Sequence, residues 1–237
     1  MLKRLIVCSV LAASAFTGVS TALPAPAEAA PKCADVHVLF ARGTAETAPP
    51  LGVTGIAFER SVRAALPGKH VRVEAVSYRA SSDFRDKLAF AHTFINGVKS
   101  AQTRIKQIAA ACPSTDIVVG GYSQGAALAA YAVADNVRMT PGYAAYQRYT
   151  PKPLPASIAP HVKAVVLFGP PSDRFLRDAK APTMHVGRAY RGKTVRYCAA
   201  GDTICNGARL GGPNAMHLLY PVNGMTDAGA RFVARRV

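Results

Sequence analysis

Residues 116–134 join a strand, a glycine turn and a helix in a way that leaves one serine little freedom. Asp116-Ile117-Val118-Val119-Gly120 is an apolar, β-branched run and reads as a buried strand. Gly121-Tyr122-Ser123-Gln124-Gly125 follows it, and Ala126-Ala127-Leu128-Ala129-Ala130-Tyr131 is a strong helix former. In that context G-x-S-x-G is the signature of a nucleophile elbow. The two glycines lack Cβ, so strand and helix can approach closely around a sharp turn. The hydroxyl of Ser123 is then expected to stand out at the carboxyl edge of a sheet, as a nucleophile.

The rest of the chain supplies the other strands of that sheet. Val36 to Ala41 reads as a buried strand, and Val53 to Leu66 as a helix stopped by Pro67-Gly68. Val71 to Tyr78 is a second strand, and Phe84 to Ala111 carries apolar residues at helical spacing. After the elbow helix, which runs to about Ala134, Val162 to Phe168 reads as a fourth strand and Thr194 to Cys198 as a fifth. Thr226 to Arg235 is expected to form a closing helix. Strands alternating with helices, and apolar almost throughout, predict a parallel sheet covered on both faces. Ligands of such sheets bind beyond the carboxyl ends of the strands, which is where Ser123 is expected. Residues 138–160 break the rhythm with Pro141, Pro151, Pro153, Pro155 and Pro160 among several tyrosines, and read as a long surface connection.

The N-terminus reads as an export signal. Lys3 and Arg4 precede an apolar stretch from Leu5 to about Val19, and Ala27-Glu28-Ala29 fits a small-x-small cleavage site. Cleavage is expected after Ala29, leaving residues 30–237 as one domain with no membrane-spanning segment. Cys8 lies within the signal. The remaining Cys33, Cys112, Cys198 and Cys205 are an even number in an exported chain, which favours disulfides over free thiols. Four cysteines permit three pairings; Cys198 and Cys205 are close enough to close a small loop, and Cys33–Cys112 would then follow. No C-x-x-C and no histidine pair at ligand spacing points to a metal. With 29 Lys+Arg against 13 Asp+Glu the net charge is +16. Such a surface is drawn to anionic polymers, phospholipid head groups or an acidic envelope. The basic residues are scattered and no recognition motif accompanies them, so nucleic acid is not the expected partner.

A serine nucleophile needs a base to take its proton and an acid to hold the base. In this fold class the chain order is serine, acid, histidine. His161, His185 and His217 follow Ser123. His161 precedes a strand and belongs at the opposite edge, and His185 leads towards the fifth strand. His217 ends the loop Gly211-Gly212-Pro213-Asn214-Ala215-Met216 and is the expected base. Asp202, directly after the fifth strand and between Cys198 and Cys205, is the expected acid, with Asp173 its rival after the fourth strand. The oxyanion donors are expected to be the backbone N–H of Gln124 and the N–H and hydroxyl of Thr44, from Arg42-Gly43-Thr44 after the first strand.

With these residues in place the chain resembles the cutinase family. The matching pieces are Arg42-Gly43-Thr44-Ala45-Glu46, Tyr78-Arg79-Ala80 and Gly120 to Ala126. Val166-Leu167-Phe168-Gly169, Cys198-x-x-x-Asp202-x-x-Cys205 and His217-Leu218-Leu219-Tyr220 complete them in order over about residues 33–235. The resemblance implies an α/β-hydrolase-type αβα sandwich with a central five-stranded parallel sheet, no cofactor, and disulfides Cys33–Cys112 and Cys198–Cys205. It implies a catalytic Ser123, Asp202 and His217, and an oxyanion hole at Thr44 and Gln124. Fungal members often carry serine where Thr44 stands, and threonine resembles the actinobacterial variant. Residues 138–160 are longer than in compact fungal members.

The expected activity is that of a monomeric, secreted or envelope-associated serine esterase acting on lipid-like or polyester esters. A phospholipase or lipase is the next reading, then an acetylxylan esterase, which shares these motifs. A non-catalytic surface-binding protein on the same fold is the reading from another class; it would not require Ser123, Asp202 and His217 together.

Overall fold

The protein is described by a computed structural model over residues 33–237; the expected signal segment and Cys8 lie outside these residues. Five strands form one parallel sheet in the order β2-β1-β3-β4-β5. They are β1 (Val36–Ala41), β2 (Val71–Ala75), β3 (Asp116–Tyr122), β4 (Val162–Phe168) and β5 (Thr194–Tyr197). The helices are α1 (Gly52–Ala65), α2 (Lys87–Ala111), α3 (Gln124–Ala132), α4 (Asp173–Asp178) and α5 (Met225–Ala234).

Alternation along the strands sorts the core into two layers. Val36, Val38 and Phe40 of β1, Val118 of β3, and Val166 and Phe168 of β4 share one cluster with Phe58 and Val62 of α1 and Ala230 and Val233 of α5. Leu39, Ile117, Val119, Val165 and Leu167 point the other way, onto Val98, Ala101 and Ile105 of α2 and Ala126 to Ala132 of α3. The expected αβα sandwich is therefore the observed one. The sheet builds outward both ways from β1, so strand order reverses between β1 and β3. In parallel sheets of this kind ligands bind beyond the carboxyl ends of the two strands where the order reverses.

Element boundaries shift where side chains intervene. β2 ends at Ala75, short of the expected Tyr78, because its pairing with β1 stops at Phe40 and Ala75, one residue before β1 itself ends. α2 starts at Lys87 instead of Phe84 because Asp86 caps it, accepting from the N–H groups of Leu88 and Ala89. The short α4, which no sequence pattern predicts, is capped by Ser172, whose side chain accepts from the Phe175 N–H. The 138–160 connection is a surface excursion with 3-10 turns at Pro141–Tyr149 and Ala156–Ile158, and residues 151–155 are irregular as their prolines require. It is tied down by buried Gln102 of α2, whose amide donates to the carbonyls of Ala132 and Lys152 at 3.1 Å each.

Both disulfides have the expected pairing, Cys33–Cys112 and Cys198–Cys205. Among the described residues no helix is long and apolar enough to cross a membrane.

Candidate active site

The turn after β3 has the geometry its glycines permit. A Cβ on Gly121 would lie 2.2 Å from the Gly125 carbonyl oxygen, and a Cβ on Gly125 would lie 2.0 Å from that of Ala41. Neither position tolerates a side chain. Ser123 between them has φ 54° and ψ −119°, a conformation that costs a non-glycine residue about 1–3 kcal/mol. Its N–H is anchored on the Phe168 carbonyl at 2.8 Å, which locks the elbow to the end of β4. The residue is half-buried.

His217 reaches Ser123 from far along the chain. Its loop ends in a 3-10 turn, Ala215–Leu218, capped by Asn214. The turn places His217 Nε2 2.8 Å from Ser123 Oγ and Nδ1 2.8 Å from Asp202 Oδ2. The imidazole is buried at 3% exposure and Asp202 at 0%. The Tyr122 ring lies 5.0 Å from the imidazole between centroids, and its hydroxyl donates to the His217 carbonyl at 2.6 Å. His217 is thus held by backbone and ring together.

Asp202 sits in the loop closed by Cys198–Cys205. Burial disfavours its charge, but three donors outweigh that. They are His217, the Tyr220 hydroxyl at 2.6 Å and the Ile204 N–H at 2.9 Å, and together they hold its carboxyl below the usual carboxylate range. Asp173, the rival acid, is exposed in the first turn of α4 and makes no hydrogen bond to His217. His161 lies at the start of β4, at the opposite edge of the sheet, where its carbonyl accepts from Ile117. His185 is exposed.

The loop after β1 is pressed against the elbow. Gly43 lies under the Tyr122 ring, where a Cβ would come within 2.7 Å of it, and Gly125 touches the carbonyls of Ala41 and Arg42. Thr44 is thereby carried to the elbow. The N–H groups of Thr44 and Gln124 have no acceptor among the described residues, whereas those of Gly43, Ala45 and Glu46 do. Both N–H groups belong to residues that follow the exits of β1 and β3, which pair through Ala41 and Gly121.

Glu46 and Tyr220 end two of the matching motifs, and the sequence assigns neither a role. Glu46 accepts from the Gly43 N–H at 2.9 Å and from the Thr54 N–H in the first turn of α1 at 2.7 Å. It staples the Thr44 loop to a helix N-terminus, and an acid just ahead of a helix start is a recognisable signal for that. Tyr220 touches Asp202, and nothing local in the sequence announces the contact. The chemistry available to this arrangement is proton removal from a hydroxyl by a carboxylate-held imidazole. Among the described residues only Cys198, Asp202 and Cys205 cluster as metal donors, and two of them are joined in a disulfide.

Comparison with known proteins gives a consistent picture. The family model for cutinases matches residues 32–237. The probable carboxylesterase Culp7 of Mycobacterium tuberculosis is 42% identical over 169 residues, covering 71% of this chain and 86% of its own. The phospholipase Culp4 of the same organism is 40% identical over 230 residues, covering 96% and 90%. Among solved structures, a Trichoderma reesei cutinase in complex with a phosphonate inhibitor matches with a TM-score of 0.62 at 30% identity, covering 86% of this chain and 76% of that one.

Proposed function

We propose, from the premise that the chain belongs to the cutinase family and is a carboxylic ester hydrolase, that it is a secreted serine esterase cleaving lipid-like or polyester esters through an acyl-enzyme. The observation that carries this reading is the unbroken row Ser123 Oγ, His217 Nε2, His217 Nδ1 and Asp202 Oδ2, with 2.8 Å at each hydrogen bond.

In this reading His217 takes the Ser123 proton as Oγ attacks the ester carbonyl, and Asp202 keeps the proton on Nδ1 so that Nε2 is free to accept. The N–H groups of Gln124 and Thr44 receive the oxyanion of the tetrahedral intermediate. The alcohol departs with the proton from His217, leaving Ser123 acylated. Water then repeats the sequence, with His217 as its base, and releases the acid.

Export is part of the proposal. Lys3-Arg4, the apolar run after them and Ala27-Glu28-Ala29 support it, and two disulfides suit an oxidising compartment. A phospholipase reading stands second, favoured by the likeness to Culp4 and by a net charge of +16 that suits an anionic lipid surface.

An organophosphonate ester probe tests the reading. It should label the protein once, on Ser123, and Ser123→Ala should abolish both labelling and hydrolysis. Labelling or hydrolysis that survives Ser123→Ala would falsify it. Rates on an ester chain-length series, with an anionic phospholipid alongside, separate esterase from phospholipase.

A further inference from the structure

Tyr220 is fully buried, at 0% exposure, and its hydroxyl is committed on both sides. The oxygen accepts the Ala199 N–H at 3.0 Å. Its own proton is therefore left for Asp202 Oδ2, 2.6 Å away. That carboxylate oxygen is the one that faces His217 Nδ1 at 2.8 Å. The other, Oδ1, is occupied by the Ile204 N–H at 2.9 Å. One carboxylate oxygen thus serves two donors, one of them the imidazole that contacts Ser123.

From this shared oxygen we infer that Tyr220 is a positioning residue for the reaction: its hydroxyl orients the Asp202 carboxylate and draws part of its charge away from His217. The inference rests on the triad reading above and extends the row to Tyr220, Asp202, His217 and Ser123. Burial and the Asp202 charge together push the Tyr220 phenol well above its ordinary range, so it stays a neutral donor at any working pH. The ring alone does not account for a tyrosine here. It packs on Phe168, Tyr122 and His217 at centroid distances of 6.2, 5.5 and 6.1 Å, and phenylalanine would fill the same space. A buried hydroxyl is retained where it has partners to satisfy.

The surrounding groups have other duties. Tyr122 spends its hydroxyl on the His217 carbonyl, Glu46 is bound to Gly43 and Thr54, and Cys205 is in its disulfide with Sγ 3.1 Å from Asp202 Oδ2. Tyr122 supplies a matched control, being a second buried tyrosine against the same imidazole whose hydroxyl does not touch Asp202.

The test is the pH dependence of kcat and kcat/KM on a soluble short-chain ester for Tyr220→Phe and Tyr122→Phe. Without the phenolic proton the carboxylate's charge concentrates on Nδ1–H and favours the imidazolium. The acid limb of the Tyr220→Phe profile should then move to higher pH by about half a unit to one unit. The plateau kcat should fall roughly tenfold, as for loss of one hydrogen bond to a charged group, with KM nearly unchanged. Tyr122→Phe should leave the acid limb in place. A limb that stays put or moves down in Tyr220→Phe, whatever happens to kcat, overturns the inference; if Ser123 is still labelled by the phosphonate, the triad reading survives it. If Tyr220→Phe does not fold, NMR of the wild-type protein decides. A slowly exchanging Tyr220 hydroxyl proton is expected, and one exchanging as freely as an exposed tyrosine's overturns the inference.

Discussion

Gly125 is set so close to Ala41 that a Cβ on it would fall 2.0 Å from the Ala41 carbonyl oxygen. This contact joins the elbow to the loop that carries Thr44, so both proposed oxyanion donors depend on it. Gly125→Ala is expected to lower kcat on the order of 100-fold, the cost of misplacing catalytic groups by about an ångström, and to reduce Tm. Gly212→Ala is the control, since a Cβ there meets nothing within 4 Å. Equal kinetics for the two variants would show that the close approach does not matter.

Asp202→Asn is expected to lower kcat by about 10⁴-fold, because the amide favours the wrong imidazole tautomer. Asp173→Asn, on the exposed first turn of α4, should stay within a few fold of wild type. Steady-state kinetics of the pair checks the assignment, and a crippled Asp173→Asn beside a mild Asp202→Asn would reverse it.

The two disulfides should separate by function. Cys33–Cys112 closes a separation of 79 residues, and the chain-entropy relation gives it about 4.5 kcal/mol of stability, against about 2.4 kcal/mol for Cys198–Cys205 with its separation of 7. Replacing the first pair by serines should cost more Tm. Replacing the second should cost more kcat, because its loop holds Asp202. Activity that follows Tm alone in both variants would deny the short loop a catalytic role.

Acid stability should register Asp202. Its folded carboxyl is held below the unfolded value of about 3.9, so it contributes stability above that pH. The contribution is lost as the pH falls through 3.9 towards the folded value. Thermal unfolding followed down through this window should show a steeper Tm decline for wild type than for Asp202→Asn. Parallel curves would mean that the carboxyl is not stabilised in its charged form.

Beside His217, Met216 is 37% and Leu218 65% exposed, and both side chains are apolar. Soluble short-chain esters should therefore be hydrolysed with no jump in rate at the substrate's solubility limit. Leu218→Asp should raise KM about tenfold for a medium-chain ester, the worth of one apolar side-chain contact, and little for an acetate. A sharp interfacial jump would point to a closing lid instead.

Much of this molecule follows from short-range pattern. The run at Ile117–Val119, the glycines at 121 and 125 and the helix formers after them specify strand, elbow and helix within one stretch of chain, because steric exclusion around Cβ and strand periodicity act between near neighbours. Chain order then pointed to His217, and the cysteine-closed loop favoured Asp202. Element ends lie a few residues from where the pattern puts them at α2, which Asp86 caps, and at β2, whose pairing with β1 stops at Ala75. Tertiary structure alone decided the rest. The order β2-β1-β3-β4-β5 lays the exit of β1 beside that of β3 and brings Thr44 to the elbow. Packing across the sheet brings His217 to a serine 94 residues earlier, sets Asp202 and not Asp173 within hydrogen-bond distance of its ring, and puts the Tyr220 hydroxyl on the same carboxylate oxygen as the imidazole. These are contacts between segments distant in sequence. Their partners are selected by the burial of whole faces and by the need to satisfy every donor in the interior, and no local stretch of sequence carries that choice.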